Sequence, residues 1–283
     1  MSRRVIKDKI FAAVTRLALF LSLGILAFLV LTIAVQGIKA FSLQFFFLPA
    51  RDFGASGGIS YQIIGSLLLV VVAALLVLPF AVGTAIFRSE CVKSERLKRG
   101  LDMALFCLNS IPSVTYGLFG LILFVNIFNT GISWFVGSII LAIMMLPTVT
   151  ITSFQAMNSI PDHYRENGFA LGLNQIQIIR RIILPQSLHG IVTGILIALA
   201  RAIGETAPIM FIATAFSGVT VPNSLNEPVA TLPTHILALA QQATNPDALQ
   251  NAWGASFTLI ILVMLFSALA YFARLKFKTL AQR

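Results

Sequence analysis

The chain has 283 residues, of which 58% are apolar and only 11% are charged. Soluble domains carry about 25% charged residues, so a water-soluble globular protein is excluded and lipid is the expected solvent of the apolar surface. The net charge of +10 does not indicate nucleic-acid binding, because the basic residues stand in short clusters between long apolar runs, as at a membrane surface. Two cysteines without metal-ligand spacing, Cys91 and Cys107, exclude a disulfide framework.

Six apolar segments are long enough to cross a hydrocarbon core of about 30 Å, which takes about 20 helical residues. The predicted spans are residues 17–35, 65–87, 103–128, 132–152, 188–214 and 255–273. Asn109 and Pro112 interrupt the third span, and only residues 129–131 join it to the fourth, which predicts a tight helical hairpin. The sequence therefore predicts an all-α membrane protein with one transmembrane domain over residues 17–273.

The distribution of Lys and Arg predicts the orientation of these spans. Basic residues cluster before the first span and after the second, fourth and sixth, whereas the opposite side carries only Lys39 and Arg51. Positively charged loops stay in the cytoplasm. We therefore expect both termini, residues 1–16 and 274–283, to be cytoplasmic.

A cytoplasmic segment over residues 155–187 is too long for a simple turn and reads as two short helices. Pro161 and Asp162 suit the first turn of one helix, and Gly172 suits the position after its last turn. The second helix is predicted to end at Pro185 and to carry an apolar stripe of Ile176, Ile179 and Ile183. Two interpretations remain at this point: an interfacial hairpin resting on lipid headgroups, or a docking element for a cytoplasmic partner.

The fifth span contains two charges, Arg201 and Glu205, which share one helix face because they are four residues apart. A charge at this depth costs several kcal/mol unless it is paired or faces water. Gly204 and Pro208 predict a kink in the same turn, because proline has no N–H to donate. The pair is either a structural ion pair or part of a translocation path, and the coincidence of charge and break favours the path.

The spacing of Glu166, Gly172, Ile182, Leu184 and Pro185 resembles the signature of inner-membrane subunits of ABC importers. That signature is Glu-Ala-Ala, three residues, Gly, nine residues, Ile, one residue, Leu-Pro. The sequence departs from it at Asn167 and Gly168, where a glycine weakens a helix by roughly 1 kcal/mol relative to alanine. The resemblance implies an ATPase-docking loop whose residues are Glu166, Ala170, Leu171, Gly172, Ile182, Leu184 and Pro185.

The stretch Arg201-Ala-Ile-Gly-Glu-Thr-Ala-Pro208 resembles phosphate-specific ABC importer permeases of the PstA type. The resemblance covers nearly the whole chain and implies a type I ABC importer permease fold in the cell inner membrane, with six spans and cytoplasmic coupling helices. The residues that it places on the translocation path are Arg201, Gly204, Glu205, Thr206 and Pro208.

The implied partners are a homologous permease of the PstC type, two ATPase subunits, an external phosphate-binding protein and the lipid bilayer. ATP and Mg²⁺ would belong to the ATPase subunits, and no cofactor to this chain. The sequence shows no Walker motif, no nucleophile–base set and no metal-ligand spacing among its three histidines, so we expect no catalytic residue and no metal site.

Three other functions remain as alternatives. One is a permease for another oxyanion, such as molybdate, sulfate or phosphonate. Another is a self-powered carrier or channel, which usually shows internal repeats or several membrane-embedded charges. The last is a scaffold subunit whose buried ion pair only holds helices together.

Overall fold

The structure is a computed structural model that describes residues 3–215, 221–242 and 244–280. It is helical almost throughout, apart from two strands, β1 (Ala50–Arg51) and β2 (Ser56–Gly57), which pair antiparallel. The helices are α1 (Arg3–Gly37), α2 (Leu43–Phe47), α3 (Ser60–Ile86), α4 (Glu95–Ser110), α5 (Ser113–Gly120), α6 (Trp134–Asn158), α7 (Asp162–Ala170), α8 (Gln175–Ile178), α9 (Leu184–Ala202), α10 (Ala207–Ile212), α11 (Leu232–Ala240) and α12 (Pro246–Leu280).

Five helical segments of the described chain are each long and apolar enough to cross a membrane. They are Lys7–Ala40, Ser60–Cys91, Trp134–Asn158, Gln175–Ala202 and Pro246–Phe272. A sixth span exists if the bent pair Glu95–Ser110 and Ser113–Ile127 is counted as one. α12 continues through most of the predicted cytoplasmic tail, whose residues 281–283 lie outside the described part of the chain.

The third predicted span, residues 103–128, is corrected by the structure. It is not one helix but two helical segments that meet at an angle of 89° between Ser110 and Ser113. Ile111 and Pro112 both have extended ψ angles, 128° and 138°, because a residue before proline is excluded from the α region and proline itself cannot donate to the preceding turn.

The fifth predicted span, residues 188–214, is also corrected. Its helix begins at Gln175, well before the predicted start, and ends at Ala202, so that Ala207–Ile212 forms a separate short helix. Pro185 does not end the helix as predicted, because the π-helical turn Ile179–Ile183 precedes it and leads directly into α9.

The core lies between α3, α6, α9 and α10. Its fully buried apolar side chains include Leu69, Ile140, Leu141, Ile203 and Ile212. α1 packs mainly on α12, where Gly37 lies against the backbone of Trp253. The apolar side chains along α1 are exposed in the isolated chain, as expected for a helix that faces lipid.

Two glycines bring α9 into close contact with α6. A Cβ atom at Gly190 would overlap Ala156, and one at Gly194 would overlap Thr152. The two glycines are four residues apart on α9, and their two partners are four residues apart on α6. Small residues at this spacing allow membrane helices to approach closely, since helix packing in lipid depends on van der Waals contact. The contact therefore fixes α9, and the break that follows it, against α6.

We expect Gly194→Ala to destabilise the protein by about 1–3 kcal/mol, because the added methyl group overpacks the α6–α9 contact. Gly83→Ala is the matched control, since a Cβ atom there meets nothing within 4 Å. That control should be neutral or slightly stabilising, because alanine favours a helix over glycine. Thermal unfolding of both variants in lipid nanodiscs measures the difference, and equal midpoints would contradict the proposed close packing.

Candidate functional site

The break between α9 and α10 is a short stretch of tight turns. The N–H groups of Gly204 and Glu205 donate to Arg201 and Ala202, three residues back, at 3.2 and 3.1 Å. Regular helical bonding resumes where Met210 donates to Thr206 at 3.0 Å. Pro208 has no N–H for the carbonyl of Gly204, so the α-helical ladder cannot run through this turn.

The two charges of this turn form an ion pair. Nε of Arg201 lies 3.5 Å from Oε1 of Glu205, and the two side chains are 52% and 17% exposed in the isolated chain. Arg201 therefore presents its charge outward, while Glu205 is held against the protein. Thr148 on α6 lines the shallow cleft that contains both charges.

The helix that follows a second break packs beside the first. α5, which follows the bend at Pro112, packs directly on α10, and a Cβ atom at Gly117 would lie only 2.6 Å from Cα of Pro208. The hydroxyl of Tyr116 on α5 donates to the carbonyl of Leu108 on α4 at 2.7 Å and so bridges the bend. Two broken helices that pack on each other in a membrane protein are typical of translocation sites.

The predicted path residues differ in their surroundings. Arg201 and Gly204 are exposed, Glu205 and Thr206 are partly buried, and Pro208 is buried against α5. Pro208 therefore shapes the break and does not line it. Sequence reasoning missed the contribution of α5, although Gly117 and Pro112 are visible signals of a close approach and of a bend.

The predicted docking segment forms a compact helical hairpin. α7 ends in a glycine turn, because Gly172 has a φ of +79° and its N–H donates to Phe169, while Leu173 donates to Gly168. This pair of bonds is a Schellman motif, which satisfies the last carbonyls of a helix. Asn174 caps the start of the next helix, α8, because its side chain and that of Gln177 form a capping box.

Gly168, which departs from the Glu-Ala-Ala pattern, is buried at the contact between the two helices of the hairpin. A Cβ atom there would lie 3.0 Å from Ile178 and 3.2 Å from Ile182. The glycine thus lets α7 approach the second helix closely, so that its cost in helix propensity is offset by packing.

Apolar side chains cover the outer face of this hairpin. Leu171 is 81% exposed, and Tyr164, Phe169 and Ile176 are exposed as well. The predicted docking residues Glu166, Ala170, Gly172 and Pro185 are also exposed, whereas Ile182 and Leu184 are partly buried. An exposed apolar patch on a helical hairpin is typical of a protein-interaction surface.

Histidines and acids do not gather into a metal site in the part of the chain that the structure describes. His163 lies against the ring of Tyr164, and His235 is buried in α11 next to Gln62. Burial lowers the pKa of His235 to about 4, so this histidine is neutral at physiological pH.

The family model described as "Binding-protein-dependent transport system inner membrane component" matches residues 78–277. The chain belongs to this family. It is therefore a multi-pass inner-membrane permease subunit of an ABC importer, and permease subunits are not themselves enzymes. The match includes both helix breaks and the whole hairpin of α7 and α8.

Curated relatives align over nearly the full chain. A "Phosphate transport system permease protein PstA" of Pasteurella multocida is 33% identical and covers 97% of this chain and 95% of the relative. A probable PstA of Methanocaldococcus jannaschii is 32% identical, over 92% of this chain and 91% of that protein. A "Probable ABC transporter permease protein YqgI" of Bacillus subtilis is 29% identical, over 94% and 95%.

Solved structures support the type I ABC importer permease fold. A permease chain of a bacterial alginate ABC transporter, in complex with its alginate-bound periplasmic protein, superimposes with a TM-score of 0.66 at 17% identity, covering 95% of this chain and 94% of that one. A chain of the methionine transporter MetNI gives a TM-score of 0.58 at 17% identity, with coverage of 76% and 92%.

Proposed function

We propose that this ABC permease subunit forms, with a homologous permease of the PstC type, the path by which inorganic phosphate crosses the inner membrane. The observation that supports this cargo is the outward-facing guanidinium of Arg201 at a helix break, in a chain whose relatives over nearly its full length include proteins named as phosphate permeases. The residues that act on the path are Arg201, Gly204, Glu205 and Thr206, with Pro208 maintaining the break.

The charges of the site favour weak, reversible binding of phosphate over tight binding. Arg201 attracts an oxyanion in an environment that screens charge poorly, and Glu205 at 3.5 Å offsets part of that attraction. A conducting site must bind its ion strongly enough to admit it and weakly enough to release it. The unwound turn at Gly204 leaves backbone groups free of helical bonding beside the two charges.

The other proposed partners follow from the two ends of the molecule. We place one of the two ATPase subunits, which carry ATP and Mg²⁺, on the apolar hairpin of α7 and α8, the other on the homologous permease, and a phosphate-binding protein on the opposite side. This arrangement requires the hairpin and both termini to lie in the cytoplasm, as the distribution of Lys and Arg predicts. The chain itself then needs no cofactor.

The alternative cargo is another oxyanion, such as molybdate, sulfate or phosphonate, because the name of the YqgI relative specifies no cargo. The test measures uptake of radiolabelled phosphate into proteoliposomes that hold the complete transporter. The binding protein is supplied on the side from which phosphate enters, and ATP on the side that carries the ATPase subunits. We expect ATP-dependent phosphate uptake that excess sulfate or molybdate leaves unchanged. Uptake of sulfate or molybdate in place of phosphate would contradict the proposed cargo, and uptake by this chain alone without ATPase subunits would contradict the proposed mechanism.

A further inference from the structure

The turn at the cytoplasmic end of α3 contacts four other helices. Residues Phe87–Cys91 form a π-helical turn that continues α3. Arg88 and Glu90, two residues apart on this turn, each form an ion pair with a different helix. Neither residue belongs to the docking signature or to the helix break.

Glu90 joins the turn to the docking hairpin. Its carboxylate accepts two hydrogen bonds from Arg165 on α7, from Nη2 at 2.9 Å and from Nε at 3.2 Å, and the two side chains are only 8% and 18% exposed. Gln175, at the start of α8, donates to the carbonyl of Glu90 at 2.6 Å. Both helices of the hairpin are therefore attached to one turn of α3.

Arg165 also attaches the hairpin to α6. Its guanidinium donates to the carbonyl of Met157 in the last turn of α6, at 3.1 Å, and to that of Ile160 just after the helix, at 2.8 Å. The hydrogen bonds with Glu90 raise the pKa of Arg165 above its ordinary value. A planar guanidinium held by fixed acceptors on two spans leaves α7 little freedom to move without them.

Arg88 extends the connection to α4. It donates from Nε and Nη2 to both carboxylate oxygens of Asp102, at 2.7 and 2.9 Å, and its guanidinium lies 4.0 Å above the ring of Phe154 on α6. α4 leads into the bend at Pro112, and α5 beyond the bend packs on Pro208 in the broken span. A continuous series of contacts thus runs from the docking hairpin to the candidate path.

We propose that Glu90–Arg165 and Arg88–Asp102 are positioning contacts that transmit movement of the docking hairpin to α4, and through it to the two helix breaks. The inference rests on the proposed function, because it assumes an ATPase that moves the hairpin. Bidentate pairs suit this role, since they fix orientation as well as distance, whereas a single flexible contact would absorb the movement. These residues touch neither cargo nor ATP in this arrangement.

The test is the coupling ratio, the number of ATP molecules hydrolysed per phosphate imported by the complete transporter in proteoliposomes. Glu90→Gln and Asp102→Asn are expected to raise this ratio at least about 5-fold, with normal co-purification of the ATPase. The ATPase subunits still hydrolyse ATP in these variants, but the movement of the hairpin no longer reaches α4. Glu90→Asp keeps the charge and should give an intermediate ratio. Glu95→Gln is the matched control and should leave the ratio unchanged, because Glu95 is exposed and its carboxylate accepts a hydrogen bond from Lys98 within the same helix, α4.

Two results would overturn the inference. One is an unchanged ratio in both Glu90→Gln and Asp102→Asn. The other is a parallel loss of ATPase binding, hydrolysis and uptake, which would assign the pairs a purely structural role. If the wild-type complex imports a different oxyanion, the proposal that phosphate is the cargo fails. The ratio of ATP hydrolysed to oxyanion imported, measured with that oxyanion, still decides the role of the two ion pairs.

Discussion

Replacing Arg201 with glutamine is expected to reduce phosphate uptake by the assembled transporter roughly 10- to 100-fold. A hydrogen bond to a charged group contributes about 1.5–3 kcal/mol, and glutamine removes the charge while keeping much of the side-chain length. The loss also leaves Glu205, which is mostly buried, without its cation. Initial rates of labelled phosphate uptake, normalised to the amount of ATPase that co-purifies, measure the effect.

Arg16→Gln is the control for this substitution, because Arg16 is an exposed residue of α1 far along the chain from the helix break. It should leave uptake unchanged. The exchange of the two charges, Arg201→Glu combined with Glu205→Arg, separates the path from a scaffold. If the two residues only hold helices together, the exchanged variant keeps its ion pair and the transporter still imports phosphate. If Arg201 lies on the path, moving the positive charge to position 205 abolishes uptake. Normal uptake in the exchanged variant would remove Arg201 from the path.

The second large effect is expected at Gly172, where valine should weaken binding of the ATPase roughly 5- to 30-fold. Left-handed backbone costs an L-residue about 1–2 kcal/mol, and a β-branched side chain tolerates the φ of +79° especially poorly. The Schellman bonds that end α7 would open and displace Leu171, which is the most exposed apolar side chain of the hairpin face. Co-purification of the ATPase with the membrane-inserted chain measures the loss.

Gly172→Asn provides the matched control, because asparagine enters the left-handed region more readily than other non-glycine residues. A Cβ atom at this position meets nothing within 4 Å, so any difference between the two variants reports backbone conformation and not crowding. Asparagine should retain most of the ATPase. Equal retention by the valine and asparagine variants would show that the end of α7 does not form the docking surface.

Patterns along the chain predicted the broad architecture well, because membrane spans depend on local hydropathy. α1 and α12 contain the first and sixth predicted segments completely. The docking signature was visible from spacing alone, and Gly172 adopts the left-handed conformation that its position after α7 predicts. These features need only neighbouring residues, so a single sequence displays them.

The different effects of Pro112 and Pro185 on their helices were not predictable from local sequence. Both were expected to disturb a helix, yet the first bends its span by 89° while the second follows a π-helical turn in a continuous one. The difference depends on packing, since α5 is held against Pro208 and the segment before Pro185 is held by Gly168. Proline chemistry alone does not distinguish the two outcomes.

By itself, the sequence determined that this protein is a helical membrane protein, which family signature it carries and where its unusual charges and breaks lie. Only the tertiary structure decided that α5 and α10, the helices that follow the two breaks, pack against each other, and that Arg165 pairs with Glu90, 75 positions away. The physical reason is the range of the interactions. Hydropathy, capping and backbone preference act within a few residues, whereas a contact between helices that are distant in sequence forms only when the spans pack together.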